Sequence, residues 1–265
     1  MNKFDYDKND IVDALIKVGI VNGDKIFVHS NIGFFGILKN ANNEIDYWKF
    51  FKDAIFQVIG DNGTIIVPTF SYSFCSKNKF DLNTTPGTVG MFSEWVRKDP
   101  DSIRSEDANF SVSSIGKDAE YFTKNVSRHS FGENSFWERF IRYQGKICCF
   151  NVGLTYNTLI HYVEKLLEVP YRYDKSFDGI FTNHRIKERR SYTHFVRNLS
   201  DPNTLPDLKK LNEIAYELKK AKDAELGRGK VSCILAQDIL EIIQKQIQLD
   251  PYFLIKGKPS KNSFT

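Results

Sequence analysis

The order of apolar segments between residues 24 and 68 most constrains the fold of this chain. Asp24 to Ser30 has the pattern of a strand, Ile45 to Ile59 has helical periodicity, and Thr64 to Pro68 is a strand apolar enough to be central. Strands that alternate with helices form largely parallel sheets covered on both faces. We therefore predict an α/β fold with a largely parallel or mixed central sheet flanked by helices.

The chain is long enough, at 265 residues, for one α/β domain with a sizeable core. No internal repeat, low-complexity tract or linker divides it, so we predict a single domain over residues 1–265. The last third alternates a helix at Leu208 to Ala221, a short run at Gly229 to Ser232 and a helix at Leu235 to Ile247. This predicts a mainly helical C-terminal portion.

A β-hairpin is predicted before that portion. Phe177 to His184 and Arg190 to Arg197 are two β-like runs, and Arg185 to Arg189 would be their charged turn.

The best catalytic candidate lies between Cys148 and Glu164. An apolar strand is followed by a glycine turn at Gly153 and then by a helix on which His161 and Glu164, three residues apart, share a face. A base and the group that orients it would suit the carboxyl end of a strand, where α/β proteins bind ligands. The alternative is a structural histidine on an amphipathic helix, and local sequence does not decide between the two.

Charge and cysteine content limit the other classes of function. The net charge of +4 is spread along the chain, which does not indicate nucleic-acid binding. The four cysteines, Cys75, Cys148, Cys149 and Cys233, have no metal-ligand spacing. Met1 to Asp10 has no apolar signal region, and no run approaches the roughly 18 apolar residues that span a bilayer. We expect a cytoplasmic protein that binds no membrane and no metal.

Several segments, taken in order along nearly the whole chain, resemble the aminoglycoside 3-N-acetyltransferase family. The matching segments are Val28-His29-Ser30 with Gly33 and Gly36, Thr64 to Phe70, Gly90 to Arg97, Arg104-Ser105 with Ser111 and Gly116, Asn157 to Glu164, Val169 to Arg172, and Asp250-Pro251. Each is weak alone, but their order is specific. One departure concerns the acceptor pocket: where many relatives carry His-Pro, this chain has Asp107-Ala108.

The resemblance implies a site and a co-substrate. His161 looks like the catalytic base, Glu164 looks like its orienting partner, and acyl-coenzyme A would be the donor. The residues that the resemblance suggests for coenzyme binding are His29, Ser30, Gly33, Phe34, Gly36, Thr69, Ser71, Arg104, Ser105 and Ser111.

Acyl transfer from a thioester to an amine requires a neutral amine, a stabilised oxyanion and a leaving thiolate. Histidine, with a reference pKa of about 6.5, suits removal of the amine proton near neutral pH. Backbone N–H groups near Gly33 to Gly36, or the hydroxyls of Ser111 and Thr69, are candidates for the oxyanion site. His29 is the rival base, although a strand-end histidine bonded to backbone is the simpler interpretation. A nucleophilic Cys148 or Cys149 is disfavoured by its apolar run.

The acceptor is predicted from charge. Aminoglycosides are polycations and would call for carboxylates, whereas the motif loops carry arginine and lysine, which suit phosphate. We predict His129, Tyr171, Arg172 and Lys175 as substrate-binding residues. The favoured acceptor is a nucleotide-linked amino-dideoxy sugar, such as a dTDP-3-amino-3,6-dideoxyhexose for surface polysaccharide; the alternative is an aminoglycoside antibiotic.

Two other classes of protein compete with an acyltransferase. A metal-assisted hydrolase would need a third ligand beside His161 and Glu164, and a carbohydrate-binding module would not bind coenzyme A. The sequence sets neither the acyl group, acetyl or 3-hydroxybutyryl, nor the oligomeric state, for which a homo-oligomer is the working assumption.

Overall fold

A computed structural model describes residues 4–260 of the chain. The helices within this range are α1 Lys8–Lys17, α2 Glu44–Ile59, α3 Met91–Lys98, α4 Ala119–Thr123, α5 Phe136–Arg142, α6 Leu159–Leu166, α7 Lys209–Glu217 and α8 Ala236–Leu249. The strands are β1 Lys25–Ser30, β2 Thr64–Pro68, β3 Phe80–Asp81, β4 Ile103–Arg104, β5 Val112–Gly116, β6 Lys146–Phe150, β7 Arg172–Asn183, β8 Ile186–Arg197, β9 Lys222–Leu226 and β10 Gly229–Leu235.

A seven-stranded mixed sheet forms the centre of the molecule, with the order β4-β5-β2-β1-β6-β10-β9. Strands β2, β1 and β6 are parallel, while β5 and β10 join them antiparallel. All five residues of β2 are buried, as expected for a strand covered on both faces. The predicted mixed α/β sheet is confirmed.

Alternating side chains of the parallel strands supply two apolar layers, one on each face of the sheet. Ile26 and Val28 of β1 pack into the layer that contains α1 and α2, whereas Phe27 packs into the layer that contains α5, α6 and α8. The same alternation separates the neighbours Cys148 and Cys149, which are both fully buried. Both cysteines therefore fill the core.

A second sheet of three strands, β3-β7-β8, stands beside the first. Strands β7 and β8 pair in register over twelve residues, from Arg172 opposite Arg197 to Asn183 opposite Ile186. The predicted hairpin exists, but its predicted five-residue turn is wrong. The turn is only His184 and Arg185, because His184 adopts a left-handed conformation with φ 48° that allows a two-residue connection.

The C-terminal portion contains α7 and α8, as predicted, and also two strands that extend the central sheet. The short run at Gly229 to Ser232 is part of β10, which pairs with β6 and with β9. No helix within residues 4–260 is long and apolar enough to cross a membrane.

Candidate active site

The loops that follow β1, β2 and β6 meet at one edge of the central sheet, because these three strands are parallel. They enclose a cavity of about 670 Å³, here called the strand-end cavity. Its lining includes His29 and Ser30 at the end of β1, Phe70 and Tyr72 after β2, and His161 on α6.

A second cavity of about 760 Å³, here called the hairpin cavity, lies between β7 and β8 on one side and Tyr72, Phe110 and Phe131 on the other. His161 and Tyr72 line both cavities. The imidazole of His161 therefore borders two separate binding spaces.

The local sequence before α6 explains how His161 reaches this position. Asn151 and Gly153 both have positive φ, 59° and 69°, and turn the chain out of β6. The buried side chain of Asn157 then accepts a hydrogen bond from the Leu159 backbone N–H at 3.1 Å, at the first turn of α6. The helix starts where its first turn can present His161 to the cavities.

His161 and Glu164 are in direct contact. His161 Nδ1 lies 2.8 Å from Glu164 Oε2, and the Glu164 side chain is only 1% exposed. A carboxylate only accepts hydrogen bonds, so Nδ1 carries the proton and Nε2 keeps its lone pair. The structure thus confirms the predicted geometry of the pair, and its catalytic role stays a prediction.

Two further side chains hold Glu164 in place. The hydroxyl of Tyr171 donates to Glu164 Oε1 at 3.0 Å, and Arg172 Nε forms an ion pair with Oε2 at 2.8 Å. Arg172 also donates to the Phe195 carbonyl on β8. Both carboxylate oxygens of Glu164 are therefore engaged, which favours the orientation in which Oε2 faces His161.

Burial and the charge of Arg172, against the opposing charge of Glu164, keep the imidazole of His161 neutral near pH 7. Burial lowers the pKa of His161, the positive charge of Arg172 lowers it further, and Glu164 opposes both without reversing the shift. Burial alone would raise the pKa of Glu164, but Arg172 and His161 bring it below its usual value. A neutral imidazole beside an ionised carboxylate can accept a proton.

His29 lines the strand-end cavity, as the prediction for coenzyme binding requires. Burial lowers its pKa to about 4. Its Nε2 atom is buried without a hydrogen-bond partner among residues 4–260. At this nitrogen, therefore, the interpretation of His29 as a histidine bonded to backbone does not apply. His29 is neutral near pH 7, but no carboxylate in the described part of the chain bonds to it as Glu164 bonds to His161.

The glycine loop after β1 borders a further space of about 600 Å³, which shares Asn31 and Asn151 with the strand-end cavity. The other residues that line this glycine-loop depression are Gly33, Phe34, Gly36 and Arg228. Gly36 has a φ of 91°, and an added Cβ would lie 2.2 Å from Asp5 Oδ2. Gly36 thus allows the loop to turn and to approach the Asp5 side chain more closely than any other residue would.

Four residues predicted to bind coenzyme occupy a buried network instead. They are Thr69, Arg104, Ser105 and Ser111, all at most 8% exposed. Arg104 donates to Ser111 Oγ and the Thr69 carbonyl, and Thr69 Oγ1 donates to the Ser111 carbonyl. Ser105 Oγ accepts from the Val112 backbone N–H. None of the four lines either cavity at His161, so we reassign them to holding the loop after β2 and the start of β5.

Ser71 also differs from its predicted role. Its hydroxyl donates to the Ala108 carbonyl at 2.8 Å and lies 2.9 Å from Ser73 Oγ, and Ser71 lines neither cavity.

The predicted acceptor residues divide into two groups. Arg172 and Lys175 line the hairpin cavity. Tyr171 is fully buried against Glu164, and His129 Nε2 lies 2.9 Å from Asp174 outside the cavity lining, so these two do not contact a ligand there. Tyr171 is a support for Glu164.

Sequence reasoning missed several residues that line the hairpin cavity, among them Tyr72, His194 and Arg197. Tyr72 has a φ of 51°, a rare conformation for a bulky residue and a feature that clusters at functional sites. His194 had no usable signal in the sequence, because its place opposite Lys175 depends on the two-residue turn, whereas the predicted five-residue turn sets a different register.

The presence of Asp107-Ala108, where many relatives carry His-Pro, has a structural explanation. The buried Asp107 side chain accepts hydrogen bonds from the backbone of Asn109 and Phe110 and from the Ser130 hydroxyl. Asn109 in turn lies 2.6 Å from His194 Nε2. Asp107 thus fixes the loop that forms one wall of the hairpin cavity.

No group of three or more His, Cys, Asp or Glu side chains that could hold a metal ion occurs in the described range.

Comparison with known proteins agrees with this architecture. The family model described as aminoglycoside 3-N-acetyltransferase matches residues 27–248. Aminoglycoside N(3)-acetyltransferase III from Salmonella sp is 25% identical over 183 residues, and the match covers 60% of this chain and 60% of the length of that relative.

Solved structures of similar proteins share the fold over nearly the whole chain. The structure of AAC-IIIb as a binary complex with CoASH has a TM-score of 0.78 at 19% identity and covers 96% of this chain and 98% of its own. The structure of AAC-VIa bound to sisomicin has a TM-score of 0.78 at 20% identity and covers 92% of this chain and 98% of its own.

Proposed function

This chain belongs to the aminoglycoside 3-N-acetyltransferase family, and from that premise we propose that it transfers an acyl group from acyl-coenzyme A to the primary amine of an amino sugar. The thioester would lie in the strand-end cavity and the amine in the hairpin cavity. One observation carries the proposal: His161 borders both cavities, and Glu164 holds its Nδ1 at 2.8 Å.

The proposed reaction is a direct transfer. The neutral amine nitrogen attacks the thioester carbonyl carbon, a C–N bond forms, and the proton of the amine passes to His161 Nε2. The C–S bond then breaks, and the departing thiolate takes up that proton, so the imidazole returns to its neutral form. Glu164 stabilises the imidazolium between these steps, and a positioned base of this kind contributes roughly 10²–10⁴-fold to the rate.

The strand-end cavity and the glycine-loop depression together suit a long donor. They adjoin at Asn31 and Asn151, which makes one groove that runs from His161 past Gly33 and Gly36 to Arg228. The exposed Gly33 and the largely exposed Arg228, which also pairs with Asp5 at 2.9 Å, fit a pantetheine arm followed by phosphates. The relative bound to CoASH supports coenzyme A as the donor.

Two acceptor classes fit an N-acyltransferase of this kind. The relatives named aminoglycoside acetyltransferases favour an aminoglycoside and an acetyl donor. The nucleotide-linked amino-dideoxy sugar predicted from sequence is retained as the second candidate, because no Asp or Glu is among the residues that line the hairpin cavity, all of which lie in the described part of the chain.

The test is thiol release from acetyl-coenzyme A with kanamycin and with a dTDP-linked 3-amino sugar as parallel acceptors. We expect amine-dependent release by the wild type and at least a roughly hundredfold lower kcat for His161→Ala, which keeps its affinity for coenzyme A in calorimetry. His129→Ala, which changes a histidine outside the cavities, is the matched control. Turnover by His161→Ala at the wild-type rate would exclude His161 as the base and turn attention to His29.

A further inference from the structure

We propose that the hairpin cavity selects an acceptor whose amine is accompanied by a phosphate-type anion, bound by Lys175 and Arg197. This inference rests on the proposed N-acyltransferase function and adds a requirement on the charge of the acceptor.

The charged residues that line the cavity all have the same sign. Arg172, Lys175 and Arg197 line it, and its lining within residues 4–260 includes neither Asp nor Glu. The strand-end cavity differs, since no lysine or arginine is among its lining residues. Positive charge is therefore concentrated on one side of His161.

The neighbouring carboxylates are already engaged. Glu164 binds Arg172, His161 and Tyr171. Asp174, which follows Tyr173 on β7, lies 2.9 Å from both His129 Nε2 and Lys165 Nζ. Among the described residues that line the cavity, a polycationic ligand would meet no carboxylate, and the nearby Glu164 and Asp174 are already paired.

Lys175 and Arg197 lack such compensation. Neither forms an ion pair with a residue of the described range. Lys175 is exposed, and its Nζ lies 5.3 Å from the centre of the Phe177 ring. Arg197 donates to neutral oxygens of Asn198 and Thr204 at 3.5 and 3.3 Å.

The register of the hairpin sets Arg197 directly opposite Arg172, so two guanidinium groups share one end of the cavity. Burial lowers the pKa of Arg197, and the charge of Arg172 lowers it further. Because Glu164 already pairs with Arg172, an anion bound at Arg197 would offset the remaining repulsion between the two guanidinium groups without competing for Glu164.

The pairing of Lys175 with His194 adds a neutral donor. Asn109 already bonds Cys75 N–H through its Oδ1, so its amide N–H₂ faces His194 Nε2. The proton of His194 then lies on Nδ1, which has no hydrogen-bond partner among the residues that the structure describes. His194, opposite Lys175, thus contributes an N–H group at Nδ1 that no described residue uses, and this nitrogen is not an acceptor that would compete for the lysine.

The first experiment measures anion binding without chemistry. Inorganic pyrophosphate is titrated by calorimetry into full-length protein whose donor groove is saturated with coenzyme A. We expect a Kd in the wild type that rises at least about tenfold in Lys175→Glu and in Arg197→Gln. Lys187→Glu, the same charge change at the exposed far end of the hairpin, is the matched control and keeps the wild-type Kd.

The second experiment compares dTDP-3-amino-3,6-dideoxyhexose, the same sugar without its nucleotide, and kanamycin. We expect the highest kcat/KM for the nucleotide sugar and a rise of at least about tenfold in its KM in Lys175→Glu, with the KM for acetyl-coenzyme A unchanged. The inference is overturned if pyrophosphate does not bind at millimolar concentration, if kanamycin is the best acceptor, or if the variants weaken acetyl-coenzyme A instead. Pyrophosphate binding that depends on Lys175 without any amine acylation would support the anion site and reject the proposed reaction.

Discussion

At His161, three neighbouring groups set the proton affinity of one nitrogen. Burial and Arg172 lower its pKa, and Glu164 raises it. Because Glu164 and Arg172 also touch each other, replacing either one changes both the orientation of the imidazole and its charge balance. The two effects are separable by the direction in which the pH profile moves.

We therefore predict opposite shifts in the pH dependence of kcat/KM. The base must be neutral, so activity falls as the pH drops through the pKa of His161, which lies below 6.5. Glu164→Gln removes a group that raises this pKa, so the acid limb moves to lower pH, with a smaller loss of kcat than in His161→Ala. Arg172→Gln removes a cation that lowers it, so the acid limb moves to higher pH.

The measurement is kcat/KM from pH 5 to 9 for the three proteins, with Arg189→Gln at the exposed end of the hairpin as the control. Shifts in the same direction for both variants would mean that the limb reports a group other than His161.

At the scale of elements, the hairpin β7–β8 packs on the loop after β2 at Phe74, which also lies 5.8 Å from Tyr192 on β8, ring centre to ring centre. Gly179 on β7 faces the buried ring of Phe74, and an added Cβ would lie 2.4 Å from its Cδ1. Phe74 packs with Phe80 and Phe181 in a small core of its own. This core fixes the distance between the hairpin and the wall of the hairpin cavity.

Gly179→Ala is predicted to displace Phe74 and to destabilise the protein by about 1–3 kcal/mol. Because the hairpin carries Lys175 and Arg197, we also expect a higher KM for the amine with little change in the KM for acetyl-coenzyme A. Denaturant unfolding and steady-state kinetics measure the two effects. Gly33→Ala is the control for stability, since nothing lies within 4 Å of its added Cβ; equal stability of the two variants would contradict the prediction.

The elements that sequence predicted well are those with a strong local signal. The apolar run at Thr64 to Pro68 and the helical spacing of His161 and Glu164 depend only on neighbouring residues. Strand β9, Lys-Asp-Ala-Glu-Leu, was missed because it is an edge strand whose alternate residues are exposed, so it has no continuous apolar run.

The remaining site errors share a different cause. Thr69 and Ser111 looked like donors to an oxyanion, but the Thr69 hydroxyl donates to the Ser111 carbonyl, 42 residues away in sequence, and the Ser111 hydroxyl accepts from Arg104 Nε. A hydroxyl that faces a ligand and one that closes a buried network have the same sequence signal. Only their placement separates the two roles.

For the whole molecule, direct transfer requires that no cysteine carry the acyl group. Cys148, Cys149 and Cys233 are buried in the central sheet, and Cys75 is the exposed thiol, whose pKa burial of the sulfur raises to about 11. Burial also raises the pKa of Cys149. None of these thiols is activated as a catalytic nucleophile would be.

We predict that Ellman's reagent modifies one thiol per native chain, Cys75, and all four after unfolding. The rate of native modification rises with pH toward 11, because the thiolate is the reactive form. Cys75→Ser removes the native reaction and serves as the control. An acyl adduct seen by intact mass after incubation with acetyl-coenzyme A alone would contradict direct transfer.

The two cavities are built from different parts of the chain. The loops of the central sheet line most of the strand-end cavity, and the separate hairpin lines most of the hairpin cavity. Under the proposed function, a substitution in the hairpin would therefore change which amine is accepted and would leave the groups around the thioester in place.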